Sequence, residues 1–454
     1  MAATRGRRAL AVALSATATA LVAGSVEGPD WSVSWPAWPY ALGAVAIWAV
    51  NLMILVVGLG DDPQPLTRVP TLSVLFAFAM TILGTGSYWA TTQLNPTYRV
   101  GIERAAFFIA ACTGVSLAAW WVLSRGAVRS TVQGRRLEWK WDRLSATTYL
   151  FFLVAALGTF VTLRRIGYVP ILSGDPNSLR VEFPAIGGVW YRLSMLGGVV
   201  ALLVGVQAAA RKASLAHYLV GLASLAMVGA YGPRFFVALP MGVALLVWDR
   251  VRHALPIARF AGIALVGAVG FGLVGYWRQQ EAGWAALGPL VLSLYVMLSE
   301  FRDLGWTLDY FGDGQHLLGG ETLPSAIVPL LPAAVWALVG IDKGGIYAND
   351  SATILGRLMG ETVGIRVGIY GEWFMNFGWA GALSAAALYG TIIAALDRAC
   401  QTVRVGEVRT VVLYLIVATA LFAQIGQLNM FTSTLTSYGY PLGLAALISS
   451  VRQG

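Results

Sequence analysis

The feature that most constrains this chain is a series of apolar runs, each long enough for one membrane crossing. An α-helix needs about 20 predominantly apolar residues to cross the hydrocarbon core of a bilayer. Ten runs approach that length: 38–59, 70–91, 105–123, 146–163, 187–209, 214–231, 258–276, 379–396, 409–427 and 435–451. Two further segments are 9–25, a signal peptide or, as favoured here, an uncleaved span, and 235–249, which follows a turn at 231–234. The pattern predicts an all-α polytopic membrane protein with about 12 transmembrane helices.

The composition excludes several classes of protein. Only 12% of the residues are charged and 57% are hydrophobic, whereas a soluble domain averages about 25% charged residues. A soluble enzyme, a disordered chain and an ordinary nucleic-acid binder are therefore excluded. The two cysteines, Cys112 and Cys400, lie far apart, and the three histidines form no HxxxH pattern. A disulfide framework and a dedicated transition-metal site are accordingly not expected.

The charges of the loops predict the orientation of the chain. With the N-terminus inside, the inner segments hold 19 Lys and Arg against 7 Asp and Glu, and the outer segments hold 12 against 15. An excess of Lys and Arg on the cytoplasmic side is the usual pattern of membrane proteins. Residues 1–454 are predicted to form a single integral membrane domain with both termini in the cytoplasm. The net charge of +9 thus reflects topology and identifies no ligand.

Two outer loops carry most of the remaining polar residues. The larger is 277–378 and the smaller is 164–186. Within the larger loop, the apolar stretches 287–299 and 323–341 are predicted to be interfacial or re-entrant helices, with an extra hairpin of two spans as the alternative. The net-acidic link between them, 300–322, favours the outer side and therefore the first interpretation.

Arginine near the outer ends of the predicted spans is the most informative polar feature. An arginine at the centre of a membrane helix costs about 2.5–3.5 kcal/mol on insertion scales, so its presence needs a reason. The outer arginines of this kind are Arg164, Arg165, Arg180, Arg192, Arg234, Arg278, Arg302, Arg357 and Arg366. Each could snorkel or pair with an outer acid. As a set they favour a shared anionic ligand, because guanidinium groups bind phosphate in a bidentate manner.

The segment 344–381 contains candidates for acid–base chemistry. Glu372 and Asn376 are four residues apart, so on a helix they would share one face. Glu372 could act as a general base toward a sugar hydroxyl, and so could His316, the histidine of the outer loop. The alternatives are a helix-end carboxylate paired with Arg366 or another outer arginine, and a solvated loop histidine.

Three motifs together resemble a known family. They are Arg165-x-Gly-x-x-Pro with a following Arg180, a Gly-Pro-Arg turn that ends at Arg234, and Gly-Glu-x-x-x-Asn-Phe-Gly over 371–378. With the long outer loop and the number of spans, they resemble the Wzy-type O-antigen polymerases, also called oligosaccharide repeat-unit polymerases. The resemblance covers most of the chain, from about residue 147 to residue 396.

The resemblance implies an architecture, a location and a reaction. The fold would be that of a type-C-like membrane glycosyltransferase in the bacterial cytoplasmic membrane. A glycan would move from undecaprenyl pyrophosphate onto the terminal sugar of another lipid-linked repeat unit, at the outer face. The implied partners are the undecaprenyl-pyrophosphate-linked oligosaccharide, membrane lipids and a chain-length regulator protein, but no nucleic acid. Because the leaving group is already a pyrophosphate, no nucleotide, metal or other cofactor is implied.

Within this resemblance the outer residues receive three roles. The residues for acid–base chemistry and charge stabilisation at the reacting centre are Glu372, His316 and Arg234. Those for pyrophosphate binding are Arg165, Arg180, Arg192, Arg234 and Arg278. Those for substrate binding are Asn376, Arg357, Arg366 and Tyr168.

Other functions stay open at this point. An O-antigen ligase has the same outer-face chemistry but passes the glycan to a lipid A core. A type-C polyprenyl-phosphate sugar transferase usually carries adjacent acids in the first outer loop, where this chain has only Glu27 and Asp30, separated by Gly-Pro. A transporter or lipid flippase would favour ionisable residues in mid-span and repeated halves. Such acids are almost absent here, which favours a glycan transferase.

Overall fold

The structure is a computed structural model. The described residues are 38–59, 68–94, 102–125, 136–172, 186–231, 234–252, 299–331, 333–360, 365–404 and 406–453. The predicted span 258–276, the first apolar segment 9–25 and nearly all of 287–299 lie outside these residues.

The described part of the chain is mostly helical and divides into two compact units. Unit 1 comprises Met1–Arg129, Leu290–Arg398 and Leu421–Phe431, and unit 2 comprises Ser130–Pro289, Ala399–Ala420 and Thr432–Gly454. The helices before residue 253 are α1 Trp38–Leu59, α2 Val69–Leu94, α3 Ile102–Arg125, α4 Trp141–Ile166, α5 Val189–Ser194, α6 Leu196–Ala209, α7 Leu215–Gly229 and α8 Arg234–Arg252. Those after residue 298 are α9 Ser299–Tyr310, α10 Ala333–Leu338, α11 Lys343–Ala348, α12 Ser351–Met359, α13 Gly368–Gln401, α14 Val408–Ala423 and α15 Leu428–Ser449. Two strands complete the list: β1 Arg136–Trp139 and β2 Ser450–Gln453.

Membrane-spanning character is present in the described residues. Five helical stretches are long and apolar enough to cross a bilayer: Leu42–Leu59, Glu103–Ser124, Trp141–Ile166, Val189–Ala209 and Gly368–Gln401. The prediction of a helical membrane protein is therefore confirmed at this level. The number of 12 spans and the orientation stay predictions.

In unit 1, helices α1 and α3 pack at close range. A β-carbon on Gly43 would lie 3.0 Å from the Phe107 ring, and one on Gly114 would lie 2.8 Å from the Asn51 side-chain oxygen. Asn51, which is 1% exposed, donates from Nδ2 to the Ala110 carbonyl at 2.9 Å. Small residues and interhelical hydrogen bonds are the usual means by which membrane helices associate, because lipid supplies no hydrophobic driving force between them.

Helix α13 is folded back on itself. Its backbone leaves helical geometry at Phe377 and Gly378, and Gly378 has φ 64°, a left-handed conformation that favours glycine. A β-carbon on Gly381 would overlap the Trp373 carbonyl, although these residues would be two turns apart in a continuous helix. The segments 368–376 and 379–401 therefore form a tight helical hairpin, and the predicted span 379–396 coincides with the second segment.

The hairpin is held together by polar and aromatic contacts. The Tyr370 and Tyr389 rings meet edge to face, with centroids 5.8 Å apart. From α3, the Ser116 hydroxyl donates to the Ala386 carbonyl at 2.8 Å and lies 3.1 Å from the Tyr370 hydroxyl. A single residue of α3 thus contacts both arms of the hairpin.

The apolar stretch 323–341 contains no continuous long helix. It forms two short 3-10 turns, Leu323–Ala326 and Val328–Leu330, and the six-residue helix Ala333–Leu338. A proline near the start of each 3-10 turn is compatible with the start of a helix but not with its continuation, because it lacks an N–H. Each piece is far shorter than a membrane crossing requires.

Unit 2 contains a feature that the all-α prediction omitted. Strands β1 and β2 pair antiparallel, with Arg136 opposite Gln453 and Trp139 opposite Ser450. The Trp139 N–H also donates to the Gly406 carbonyl at 3.0 Å. Three segments at residues 136–139, 406 and 450–453, for which the sequence predicts the cytoplasmic side, therefore lie together at one end of this unit.

Candidate functional site

In unit 1, Asn376 fastens the loop segment 318–322 to the first arm of the hairpin. Its Nδ2 donates to the Thr322 hydroxyl and to the Glu372 carbonyl, both at 2.7 Å, and its Oδ1 accepts from the Gly320 N–H at 2.9 Å. The Leu318 and Gly319 N–H groups donate to the carbonyls of Met375 and Asn376. Asn376 is 1% exposed, so the tie is shielded from water.

Glu372 is sealed inside the same region. It is 0% exposed, and its Oε2 accepts from the Leu428 N–H at 2.8 Å. Leu428 is the first residue of α15, where backbone N–H groups have no partner within the helix and a carboxylate is favourable. Glu372 therefore fastens the start of α15 to the hairpin, and among the described residues it forms no ion pair.

One oxygen of Glu372 has no such partner. Oε1 is buried and accepts no hydrogen bond within the described part of the chain, and the same is true of the hydroxyl of Ser351. Ser351 and Thr322, both fully buried, are the hydrogen-bonding neighbours of the carboxyl group. Buried polar groups are nearly always hydrogen-bonded, and these two hydroxyls are the described groups that can serve the second oxygen of Glu372.

The surroundings of Glu372 are built from distant parts of the chain. Asp350 caps α12 by accepting from the Thr353 N–H at 2.6 Å, and its other oxygen accepts from Asn429 Nδ2 at 3.1 Å. Gln427 donates to the Ile365 carbonyl at 2.8 Å. Segments near residues 320, 350, 372 and 428 thus meet in unit 1. We call the set of Glu372, Asn376, Thr322, Ser351, Asp350 and Asn429 the polar node.

His316 lies on an exposed part of the same loop. Its ring is exposed and stacks on Tyr310, with centroids 5.0 Å apart and an interplanar angle of 27°. Two residues later, Leu318 begins the segment that the hairpin fastens. Of the two predicted bases, His316 is therefore the one that a substrate can reach in this structure, whereas Glu372 is enclosed.

The predicted substrate residues Arg357 and Arg366 also lie in unit 1. Arg357 is exposed and donates from Nη2 to the Ala348 carbonyl at 2.6 Å. That contact closes the loop before α12, so part of its hydrogen-bonding capacity serves local structure. Arg366 is half-buried and follows Ile365, the residue held by Gln427.

Unit 2 holds the other described candidates. Arg164 and Arg165 lie in the last turn of α4 and Arg192 lies in α5; all three are exposed and form no ion pair in the described part of the chain. Cations in the last turn of a helix also interact favourably with its dipole. Arg234 is the first residue of α8, and Tyr168 is 37% exposed just after α4.

The segments that carry these residues meet at one end of unit 2. The Ile171 N–H donates to the Ala230 carbonyl at 2.9 Å. The Tyr191 and Tyr231 rings meet edge to face, with centroids 5.3 Å apart. The loop after α4, helix α5 and the end of α7 are thereby joined. Two of the predicted pyrophosphate residues, Arg180 and Arg278, lie outside the described residues.

Sequence reasoning missed several members of the polar node. Thr322, Ser351, Asp350 and Asn429 are separated from Glu372 by 21 to 57 positions. No periodicity links them, because the hairpin and the start of α15 bring them together. One available signal was the position of Asp350 directly before the helical segment that starts at Ser351, because Asp is a frequent N-cap residue.

Comparison of the chain with family models, with curated proteins and with solved structures found no match in any of the three.

Proposed function

We propose that this protein polymerises lipid-linked oligosaccharide repeat units at the outer face of a bacterial cytoplasmic membrane. A glycan would be transferred from undecaprenyl pyrophosphate to the terminal sugar hydroxyl of a second lipid-linked unit. The bond from the sugar C1 to the pyrophosphate oxygen breaks, and a new bond forms from C1 to the acceptor oxygen. The hydroxyl proton passes to a base, and undecaprenyl pyrophosphate leaves.

The observation that carries the proposal is the arrangement of the 371–378 motif, one of the motifs behind the family resemblance. Asn376 fastens the loop that leads to His316, Gly378 permits the fold-back, and Glu372 keeps one buried oxygen without a hydrogen bond. The start of α15 serves one oxygen of Glu372, and the Ser351 and Thr322 hydroxyls are the neighbours of the carboxyl group. The motif thus holds a buried carboxylate next to the loop segment that leads to His316.

In this proposal His316 accepts the proton of the acceptor hydroxyl. It is exposed, and imidazole is the most frequent general base in enzymes. Glu372 and Asn376 act as positioning residues, because they hold the backbone on which the histidine is carried. Pyrophosphate binding by the outer arginines, Arg165 and Arg192 among them, stays the prediction made from the sequence, and their charge would stabilise the leaving group without a metal ion.

Deletion of the gene tests the proposal in cells. Lipid-linked glycans extracted from the deletion strain are expected to consist of single repeat units, because elongation stops after one unit is built. Full-length polymer that stays on its lipid carrier would instead identify a ligase, and a normal amount of finished polymer would overturn the proposal.

Reconstitution separates an enzyme from a transporter. The full-length protein in liposomes, supplied with the lipid-linked single units from the deletion strain, is expected to form longer glycans and to release undecaprenyl pyrophosphate. A protein that moves these lipids between leaflets without lengthening the glycan would contradict the proposal.

A further inference from the structure

Three aromatic rings form a continuous stack in the outer loop of unit 1. Trp306 and Tyr310 lie one turn apart on α9, with ring centroids 4.9 Å apart and an interplanar angle of 11°. His316 continues the stack on Tyr310. Trp306 and Tyr310 are half-exposed and His316 is exposed. We call these three residues the aromatic platform.

The turn between Tyr310 and His316 depends on two glycines. A β-carbon on Gly312 would overlap the Leu308 carbonyl, and Gly314 has φ 75°, which an L side chain adopts only with strain. The Phe311 ring anchors the turn, being 1% exposed. His316 is therefore returned over Tyr310 by the local sequence, and the fastening of segment 318–320 by Asn376 keeps the turn in place.

The charge around the platform selects the kind of ligand that can bind. The segment 300–322 contains five Asp and Glu; Asp303 pairs with Arg302 and Asp309 with Arg104, and the remaining surplus of carboxylates disfavours an anion such as pyrophosphate. Carboxylates such as that of Asp313, which is exposed, accept hydrogen bonds from hydroxyl groups. An aromatic face carries partial negative charge and attracts polarised hydrogens. A neutral sugar ring presents hydroxyl groups at its edge and C–H groups on its face, and so meets both requirements.

We propose that the aromatic platform binds a neutral sugar ring of the glycan, which stacks on the exposed imidazole at the end of the platform, with Tyr310 and Trp306 supporting it from behind. The assignment of that ring to the acceptor glycan rests on the proposed function. A ring stacked on the platform brings its hydroxyl groups beside the edge of the imidazole, where a proton can be transferred. The platform thus determines which sugar is positioned, and the carboxylates around it disfavour the binding of pyrophosphate.

Binding of neutral methyl glycosides to the full-length protein in lipid nanodiscs tests this inference without catalysis. Saturation-transfer NMR would compare the methyl glycosides of glucose, galactose, mannose and rhamnose. Trp306→Leu, Tyr310→Leu and His316→Gln are each expected to weaken the binding about two- to ten-fold, the range that one aromatic contact contributes. His316→Phe keeps a ring and is expected to bind as the unsubstituted protein does. Tyr218→Leu, at an exposed tyrosine of unit 2, is the control.

The outcomes distinguish this inference from the proposed polymerase function. His316→Phe should retain sugar binding but lose polymerisation, because the base is gone and the stack remains. The inference is overturned if no glycoside binds to the unsubstituted protein, or if Trp306→Leu and His316→Gln bind unchanged. It is also overturned if Trp306→Leu lowers only the amount of protein in the membrane, since that result would assign the rings to interfacial anchoring. A platform without polymerase activity would leave sugar binding intact and overturn only the proposed function.

Discussion

Two carboxylates of helix α13 differ in how completely their oxygens are used. Asp397 accepts from Arg68 Nε at 2.7 Å, from Arg68 Nη2, from the Val69 N–H at 3.3 Å and from Trp120 Nε1 at 3.3 Å. Glu372 accepts from the Leu428 N–H, and its other oxygen has no hydrogen bond in the described residues. Both side chains are buried, at 2% and 0% exposure.

The difference teaches that burial alone does not define a structural role. A buried carboxylate with every lone pair occupied stabilises the fold, because its removal leaves several buried hydrogen-bond donors without that acceptor. A buried carboxylate with an unused oxygen carries an unfavourable term of about 1–3 kcal/mol. The exposed Arg165 and Arg192 form no ion pair in the described part of the chain, and they extend the comparison to groups at the surface.

The largest effect is expected at Asp397. Asp397→Ala should lower the free energy of unfolding by about 3–5 kcal/mol, because it removes the ion pair with the largely buried Arg68 and the hydrogen bonds from Val69 and Trp120. Thermal or denaturant unfolding in detergent measures the change. Asp142→Ala, at an exposed carboxylate near the start of α4, is the matched control. A loss at Asp397 no larger than the loss at Asp142 would remove the contrast on which the comparison depends.

Substitution of the exposed arginines should affect the polymerisation rate more than the free energy of unfolding. Arg165→Ala and Arg192→Ala are expected to change stability by less than about 0.5 kcal/mol, as exposed substitutions usually do. Each should slow polymerisation by about 10- to 100-fold, because a hydrogen bond to a charged group contributes about 1.5–3 kcal/mol. Initial rates with reconstituted protein measure this loss, and Arg143→Ala, at an exposed arginine on the predicted inner side, is the control. Unchanged rates for both arginine variants would remove pyrophosphate binding from the account.

Much of the helical framework could be predicted from the sequence, because long apolar runs have one structural solution in a membrane. The run 38–59 matches helix Trp38–Leu59, and the run 105–123 lies within Ile102–Arg125. The sequence predicts the segment 368–376 as part of the large loop, because its glycines and polar side chains break the helical spacing of apolar residues. Its helix is held by tertiary partners instead. The strands β1 and β2 are four residues each and depend on pairing between distant segments, which local patterns do not reveal.

Part of the candidate site could also be predicted from the sequence. The spacing of Glu372 and Asn376 predicts that they would share one face if the segment were helical, and both lie in the polar node on the first arm of the hairpin. Their partners at Thr322, Ser351 and Leu428 could not be deduced, because the fold-back at Gly378 and the start of α15 bring them close. The stack of Trp306, Tyr310 and His316 was hidden because the return of the chain through Gly312 and Gly314 is a backbone effect.

Stability and polymerisation activity should be measured in parallel in two isosteric variants, Glu372→Gln and Asp397→Asn. The pair tests whether Glu372 serves function while Asp397 serves stability. Glu372→Gln should keep its unfolding free energy within about 1 kcal/mol, because an amide oxygen can still accept from Leu428. It should lose at least about ten-fold in polymerisation rate per folded molecule, or about 1.4 kcal/mol, because the amide nitrogen cannot accept from the Ser351 and Thr322 hydroxyls, and Thr322 belongs to the loop segment that positions His316. Asp397→Asn should be destabilised while the folded fraction polymerises at the normal rate. A destabilised Glu372→Gln that polymerises normally per folded molecule would contradict the account.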